Sequence, residues 1–137
     1  MGPADMIALD TNVLVRFLVL DDEKQGGRAV ELIEEAARAE ESVHLTDVVL
    51  CETVWVLAAA YGASRREIVS TLRRLLASGV FAVWDRPTVD RAIDHHADRR
   101  GHFADTLIGV AGARAGATTT YTFERALRDE PEFTFIG

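Results

Sequence analysis

Three acidic residues lie alone in apolar stretches of the sequence, where a carboxylate is well suited to binding a metal ion. Each is the only charged residue of its stretch: Asp10 in residues 6–15, Glu52 in residues 48–64 and Asp105 in residues 103–113. We expect poorly hydrated surroundings for them, and an isolated carboxylate in such a place costs several kcal/mol to keep ionised. Each should therefore be protonated, paired with a basic residue or bound to a cation.

Each of the three also has a purely structural explanation. Asp10 could cap a helix that begins at Asn12, Asp105 could favour a helix N-terminus electrostatically, and Glu52 could reach the solvent edge of its helix. Acids in unusual surroundings mark functional sites only statistically. These explanations therefore stay open for each residue taken singly, and the case for a site rests on the three together.

The cation is predicted to be a hard metal ion. The bases of residues 17–64 are Lys24, Arg28 and Arg38, all in an acidic segment, so a bound ion is the economical partner for the carboxylates. Oxygen ligands favour Mg²⁺ or Mn²⁺. Zinc is disfavoured, because Cys51 has no companion and is expected to be a small buried side chain, and the four histidines lack the spacing of zinc ligands and are expected to be structural or solvated.

Length and composition indicate an ordinary globular protein. A chain of 137 residues, 48% of them hydrophobic, is predicted to fold as a single domain over residues 1–137. The longest uncharged stretch, Thr53 to Ser64, has twelve residues and is too short to span a membrane. Residues 1–8 include no base, and there is one cysteine, so we expect a cytoplasmic location.

A net charge of −7 at first argues against a nucleic-acid partner, but the charges are unevenly distributed. Met1 to Asp47 contain eleven acids and four bases, whereas Val48 to Gly137 contain eleven of each. Between Arg65 and Arg100 there are eight arginines and five acids. That segment can present a phosphate-contacting surface, although a solvated helix face of mixed charge explains any single one of these arginines.

Hydrophobic periodicity predicts strands that alternate with helices. The predicted strands are residues 6–9, 43–45, 80–84, 118–122 and 133–136, and the predicted helices are residues 12–18, 23–41, 48–61, 65–78, 87–99 and 103–115, with a short one from Glu124. The first strand is expected to be buried, and Leu32 is expected on the apolar face of the second helix. Ser64 and Glu67 form a capping box, the firmest boundary in the sequence.

Alternation of this kind implies right-handed crossovers and a parallel sheet. The predicted fold class is therefore α/β, a three-layer α/β/α sandwich with a central, mainly parallel sheet. Ligands of such sheets bind beyond the carboxyl ends of the strands. Asp10 and the segment after Thr122 both emerge there.

Four short segments contain the acids in a fixed order along the chain. They are Leu9–Leu14 (LDTNVL), Leu50–Leu57 (LCETVWVL), Phe103–Ile108 (FADTLI) and Thr120–Leu127 (TYTFERAL). In order, spacing and total length they resemble the motifs of PIN-domain nucleases, and especially of the VapC-type toxins of toxin–antitoxin pairs. The resemblance covers essentially the whole chain and implies a PIN-like fold.

Carried over residue by residue, the resemblance implies that Asp10, Glu52 and Asp105 bind the metal and are catalytic. Asn12 and Thr122 would be polar support that helps to hold the cofactor. Glu124 is a fourth candidate catalytic residue, and the sequence departs from the family pattern there, because members commonly have Asp. It stays open whether this longer side chain coordinates metal, acts through water or has turned away.

The implied activity is endonucleolytic cleavage of RNA that leaves a 3′ hydroxyl and a 5′ phosphate. One or two Mg²⁺ ions, or Mn²⁺, would be held by the acids and would activate a water molecule. The resemblance also implies a cognate antitoxin that covers the acidic pocket, and a homodimer. The sequence does not name the RNA target.

Other classes of protein also place acids at strand ends around Mg²⁺. Receiver domains need a lysine late in the chain, whereas the one lysine here is Lys24. Haloacid-dehalogenase-type phosphatases need a second Asp two residues after the first, where this chain has Asn12. A third alternative keeps the PIN fold as a catalytically weakened module that binds RNA or antitoxin, and Glu124 is its one support.

Overall fold

The structure, a computed structural model, describes residues 5–99 and 101–137. Residues 1–4 and Arg100, which belong to two of the stretches discussed above, lie outside the described residues. The described residues form a mixture of helices and strands, and every strand pair among them is parallel, which confirms the predicted α/β class. It forms two compact units, one ending at Trp84 and one beginning at Asp85; the single-domain expectation stays a prediction.

The described part of the first unit, from residue 5 onward, contains three strands and four helices. They are β1 (Met6–Ala8), α1 (Thr11–Val19), α2 (Glu23–Arg38), β2 (Ser42–His44), α3 (Asp47–Tyr61), α4 (Arg65–Ala77) and β3 (Phe81–Ala82). The strand order is β1-β2-β3, with Ile7 beside Val43 and Val43 beside Phe81. Val43 and Leu45 are fully buried, so the core of this unit lies along β2 and the segment that follows it.

Two expectations about the burial of apolar residues in this unit are wrong. β1 is not a buried strand, since Met6 is 63% exposed and Ala8 is also exposed. In the described residues β1 pairs only with β2, and an edge strand has one side without a neighbour. Leu32 is exposed as well, because the buried face of α2 is formed by Ala29, Ile33 and Ala36.

Helix ends in the first unit follow the local chemistry of the sequence. The Thr46 hydroxyl accepts a hydrogen bond from the Val49 N–H at 3.2 Å and begins α3. Gly62 ends α3 in the left-handed region, at φ 64°. The capping box is confirmed, because the Ser64 hydroxyl accepts from the Glu67 N–H at 3.1 Å and the Glu67 carboxylate accepts from the Ser64 N–H at 3.0 Å.

A glycine allows α1 and α2 to approach closely. Gly26 is buried, and a Cβ atom there would lie 3.4 Å from the carbonyl oxygen of Arg16. Gly26 and Gly27 are both inside α2. The short connection and the close contact fix the junction between the end of α1 and the start of α2.

Outside Arg100, which the structure does not describe, the second unit contains two helices, two strands and a short 3₁₀ helix. They are α5 (Arg86–Asp98), α6 (Phe103–Arg114), β4 (Thr120–Thr122), the 3₁₀ helix (Arg125–Leu127) and β5 (Phe133–Phe135). β4 pairs with β5 in parallel, with Tyr121 beside Thr134. A Cβ atom at Gly109 would lie 2.5 Å from Cε2 of Phe133, so the absence of a side chain allows α6 to pack on β5.

The start of α5 is capped by an acid. The Thr88 hydroxyl donates to Asp85 at 2.8 Å and the Thr88 N–H donates at 3.3 Å. These hydrogen bonds, of which that from the Thr88 hydroxyl has the larger effect, hold the pKa of the Asp85 carboxyl below its ordinary value. Pro87 lies in the first turn, where its missing N–H costs nothing.

Candidate active site

Asp10 lies two residues after the end of β1 and starts α1 with its backbone alone. Its carbonyl oxygen accepts hydrogen bonds from the N–H groups of Val13 and Leu14, at 3.1 and 3.2 Å. Its side chain makes no capping hydrogen bond and the residue is exposed. The capping explanation for this carboxylate therefore does not hold, and its oxygen atoms remain available to a ligand at the end of the strand.

Glu52 is held beside the start of α1 by Thr11. The Thr11 hydroxyl donates a hydrogen bond to Oε1 of Glu52 at 2.7 Å, across 41 positions of sequence. Thr11 is buried at 8% exposure, whereas Glu52 is exposed. The expectation of poorly hydrated surroundings is therefore wrong for Glu52, because its helix turns this face outward rather than into the core. It is also wrong for Asp10, which is exposed at the end of the strand.

Thr11 is the residue that sequence reasoning missed. It follows Asp10 directly, so a single dipeptide provides one carboxylate and positions another. Its signal in the sequence was a hydroxyl side chain between two candidate site residues, Asp10 and Asn12, at the junction of a strand and a helix. Asn12 itself is exposed, and it lines a cavity between α1 and α2.

The second unit contains the remaining predicted residues. Asp105 is half-buried in the first turn of α6, where a negative charge favours the helix. The Thr122 hydroxyl accepts a hydrogen bond from the Glu124 N–H at 2.9 Å, so Thr122 sets the path of the chain as it leaves β4. Glu124 is exposed, has an extended backbone and makes no side-chain hydrogen bond to the 3₁₀ helix that it precedes.

Residues 7–130 match the model of the PIN domain. The chain belongs to the PIN-domain family. PIN domains are typically nucleases and generally use divalent metal ions, which supports nuclease activity for this chain. No curated protein matches the sequence significantly.

The donor atoms of this PIN domain fit a hard divalent ion. In the first unit Asp10 and Glu52 offer exposed carboxylate oxygens, and neither forms an ion pair with a described residue. Oxygen atoms of this kind suit Mg²⁺ or Mn²⁺. Over residues 5–99 and 101–137, no three His, Cys, Asp or Glu side chains are placed together as a ready-made metal cluster.

Histidine and cysteine have other roles in the PIN domain. His96 is buried with its ring edge-on to Phe103. Nδ1 of His95 lies 3.0 Å from the Glu132 carboxylate. These positions agree with the structural role expected for both. Cys51 is half-buried rather than buried, because its side of α3 is only partly covered.

An ion-pair cluster in the second unit was not predicted from the sequence. Arg99 lies 3.1 Å from Glu130 and 3.0 Å from Glu132, and all three side chains are largely buried. Arg99 belongs to the segment that could have contacted phosphate. Its guanidinium instead joins α5 to the chain before β5, so it is a structural residue.

None of the helices in the described residues combines the length and the apolar character that crossing a lipid bilayer requires.

Proposed function

We propose that this PIN domain is a Mg²⁺-dependent endoribonuclease and the toxin of a VapC-type toxin–antitoxin pair. The observation that carries the proposal is the hydrogen bond from Thr11 to Glu52. It joins Thr11 of the first motif, Leu9–Leu14, to the acid of the second motif, 41 positions away. This supports Asp10 and Glu52, two of the carboxylates that the resemblance assigns to the metal, as parts of one site.

In this proposal Asp10, Glu52 and Asp105 hold Mg²⁺, or Mn²⁺ in its place. When bound, the ion would supply Lewis-acid stabilisation of the phosphate charge and lower the pKa of a water molecule. Thr11 fixes one oxygen of Glu52, which leaves Oε2 to face the ligand. Asn12 adds an amide beside Asp10, with both a donor and an acceptor group.

The segment after β4 would contribute the fourth acid. Thr122 holds the N–H of Glu124, and the side chain of Glu124 is exposed and makes no capping hydrogen bond. It is therefore available to support the ion or its water molecules. The alternative, a catalytically weakened module that binds RNA or antitoxin, is favoured only by the presence of Glu rather than Asp at this position.

Protein partners belong to the proposal too. Val48 and Trp55 are 67% and 69% exposed and lie on the same side of α3 as Glu52, one turn before it and one turn after it. Large apolar side chains grouped on a surface commonly mark protein interfaces. This supports a cognate antitoxin or a second copy of the chain as a partner next to the carboxylates.

The test is cleavage of RNA by the purified chain, free of antitoxin. Structured and unstructured RNA are incubated with Mg²⁺, with Mn²⁺ and with EDTA. The proposal predicts internal cuts that require the ion and leave 5′ phosphates, detected because the downstream product can be ligated without a kinase step. Cutting that continues in EDTA, or products with 5′ hydroxyls, would contradict it.

A further inference from the structure

A cavity of about 560 Å³ lies between α1 and α2, beside the candidate active site. Its lining combines three basic residues with three apolar ones. The lining residues are Asn12, Val13, Arg16, Lys24, Gln25, Arg28, Ala29 and Leu32. No acid lines it in the part of the chain that the structure describes. Asn12 places one end of the cavity two residues from Asp10.

The charge of this cavity is opposite to that of the sequence around it. Met1 to Asp47 contain eleven acids and only four bases. Three of those four bases, Arg16, Lys24 and Arg28, line the one cavity. Only Arg38 lies elsewhere, ten residues beyond Arg28 on α2, or about 15 Å along the helix axis. The fold thus concentrates positive charge where the sequence is most acidic.

Two of the three cations are free to bind an anion. Arg16 is engaged, since its Nε donates to Gln25 at 2.8 Å and its guanidinium lies 3.2 Å from Asp21. Lys24 and Arg28 are exposed, and their side chains form no ion pair or hydrogen bond with any described residue. Neither charge is therefore paired with a carboxylate of the described residues.

We propose that this cavity binds a nucleotide of the RNA strand next to the cleaved bond. Lys24 and Arg28 contact its phosphates, and the base lies against the apolar lining residues Ala29 and Leu32. The inference rests on the proposed nuclease function, because the cavity opens beside Asn12 and a strand bound in it continues towards Asp10.

Size and chemistry favour RNA over an acidic protein segment. Ligand pockets typically measure about 300–1,000 Å³, and a nucleotide combines the anion and the flat apolar surface that this lining suits. Arginine also stacks on bases. An acidic peptide continuing to Asp10 and Glu52 would meet two more carboxylates and no compensating cation, whereas a phosphate there is what a divalent ion would hold.

The test measures RNA affinity in EDTA, so that binding is read without cleavage. The probe is a short single-stranded oligouridylate, and the variants are wild type, Lys24→Gln with Arg28→Gln, and the matched control Arg38→Gln on the same helix. Each phosphate contact on a single strand contributes about 0.7 to the slope of log affinity against log salt. The double variant should therefore lose about 1.4 of that slope, and the control should keep it.

In practical terms, the affinity advantage of wild type over the double variant should shrink about sevenfold between about 50 and 200 mM salt. A second measurement uses the fact that Lys24 is the one lysine of the chain. Acetylation of its amine, followed by mass spectrometry, should slow when oligouridylate is added to wild type, and slow equally in Arg38→Gln.

The possible failures are distinguishable. An unchanged slope in the double variant, with Lys24 acetylated at the same rate with and without RNA, overturns the inference, and intact Mg²⁺-dependent cleavage would then leave the proposed function standing. Protection of Lys24 by polyglutamate but not by oligouridylate also overturns it, in favour of an acidic protein segment. Wild type that neither binds nor cleaves RNA removes the inference and the proposed function together.

Discussion

Replacing Thr11 by Val tests the hydrogen bond that positions Glu52. Valine has nearly the shape of threonine and removes only the hydroxyl that donates at 2.7 Å. A hydrogen bond to a charged group contributes about 1.5–3 kcal/mol when the released group cannot be solvated. Glu52 is exposed and regains water when released, so we expect a loss of about 1 to 1.5 kcal/mol in the free energy of unfolding.

That loss corresponds to a measurable shift in melting temperature. At about 2.1 cal/mol/K per residue, the entropy of unfolding for 137 residues is about 0.29 kcal/mol/K. The variant should therefore melt about 3 to 5 °C below wild type, followed by circular dichroism. RNA turnover should also fall, by about tenfold or more, because a group that orients a metal ligand is lost.

Thr53 provides a matched control for the same substitution. It is one position from Glu52 on α3, it is fully buried, and its hydroxyl has no hydrogen-bond partner among the described residues. Thr53→Val removes a buried polar group that makes no bond, so stability should stay the same or rise. Equal melting temperatures for the two variants, or a wild-type melting temperature for Thr11→Val, would show that the Thr11–Glu52 hydrogen bond does not stabilise the fold.

Three further outcomes are expected. Gly27→Ala should raise the free energy of unfolding, measured in urea, by about 0.5–1 kcal/mol, since the added Cβ meets nothing within 4 Å. Gly109→Ala should lower it by about 1–3 kcal/mol, because the added Cβ clashes with β5. Equal effects of the two substitutions would contradict this packing. Hydrogen bonds with Ser64, of which that from its backbone N–H has the largest effect, hold the pKa of the Glu67 carboxyl below its ordinary value. The stability that these bonds contribute is therefore complete above the ordinary pKa and is lost as pH falls through the lower pKa of the folded protein. Glu67→Gln should weaken this acid dependence of the melting temperature, and an unchanged dependence would count against this role of Glu67. Glu124→Gln should reduce RNA turnover by about tenfold to a hundredfold, and Glu124→Asp should retain or improve it. Equal rates for wild type and both variants would assign Glu124 to helix stabilisation alone. An inactive wild type whose activity is restored by Glu124→Asp would favour the alternative of a catalytically weakened module.

Local chemistry explains why many element boundaries could be predicted. The end of α3 at Gly62 and the capping box of Ser64 and Glu67 depend on residues within one turn of each other, so the sequence contains all the information they need. The predicted third strand, residues 80–84, is wrong in extent because β3 is only Phe81–Ala82. Strand length depends on pairing with β2, and that partner is nearly forty residues away.

The candidate site was predictable in its acids and not in their support. Asp10 and Glu52 could be picked out as lone charges in apolar stretches, although that argument wrongly expected poor hydration for Glu52. The bond from Thr11 to Glu52 joins positions 41 residues apart, and no local pattern shows it. Lys24 and Arg28 similarly look like ordinary members of an acidic helix until its packing on α1 forms the cavity.

The Mg²⁺ dependence of RNA cleavage by an Asp10 variant shows whether Asp10 acts through a divalent ion. Cleavage rates of one RNA are compared for wild type and Asp10→Asn over a range of Mg²⁺ concentrations, with circular dichroism to show that both are folded. Asparagine keeps the shape and removes the charge that holds the cation. We expect the cleavage rate of wild type to rise with Mg²⁺ concentration, and we expect no cleavage by a folded Asp10→Asn variant. Cleavage by Asp10→Asn at the wild-type rate would contradict this expectation.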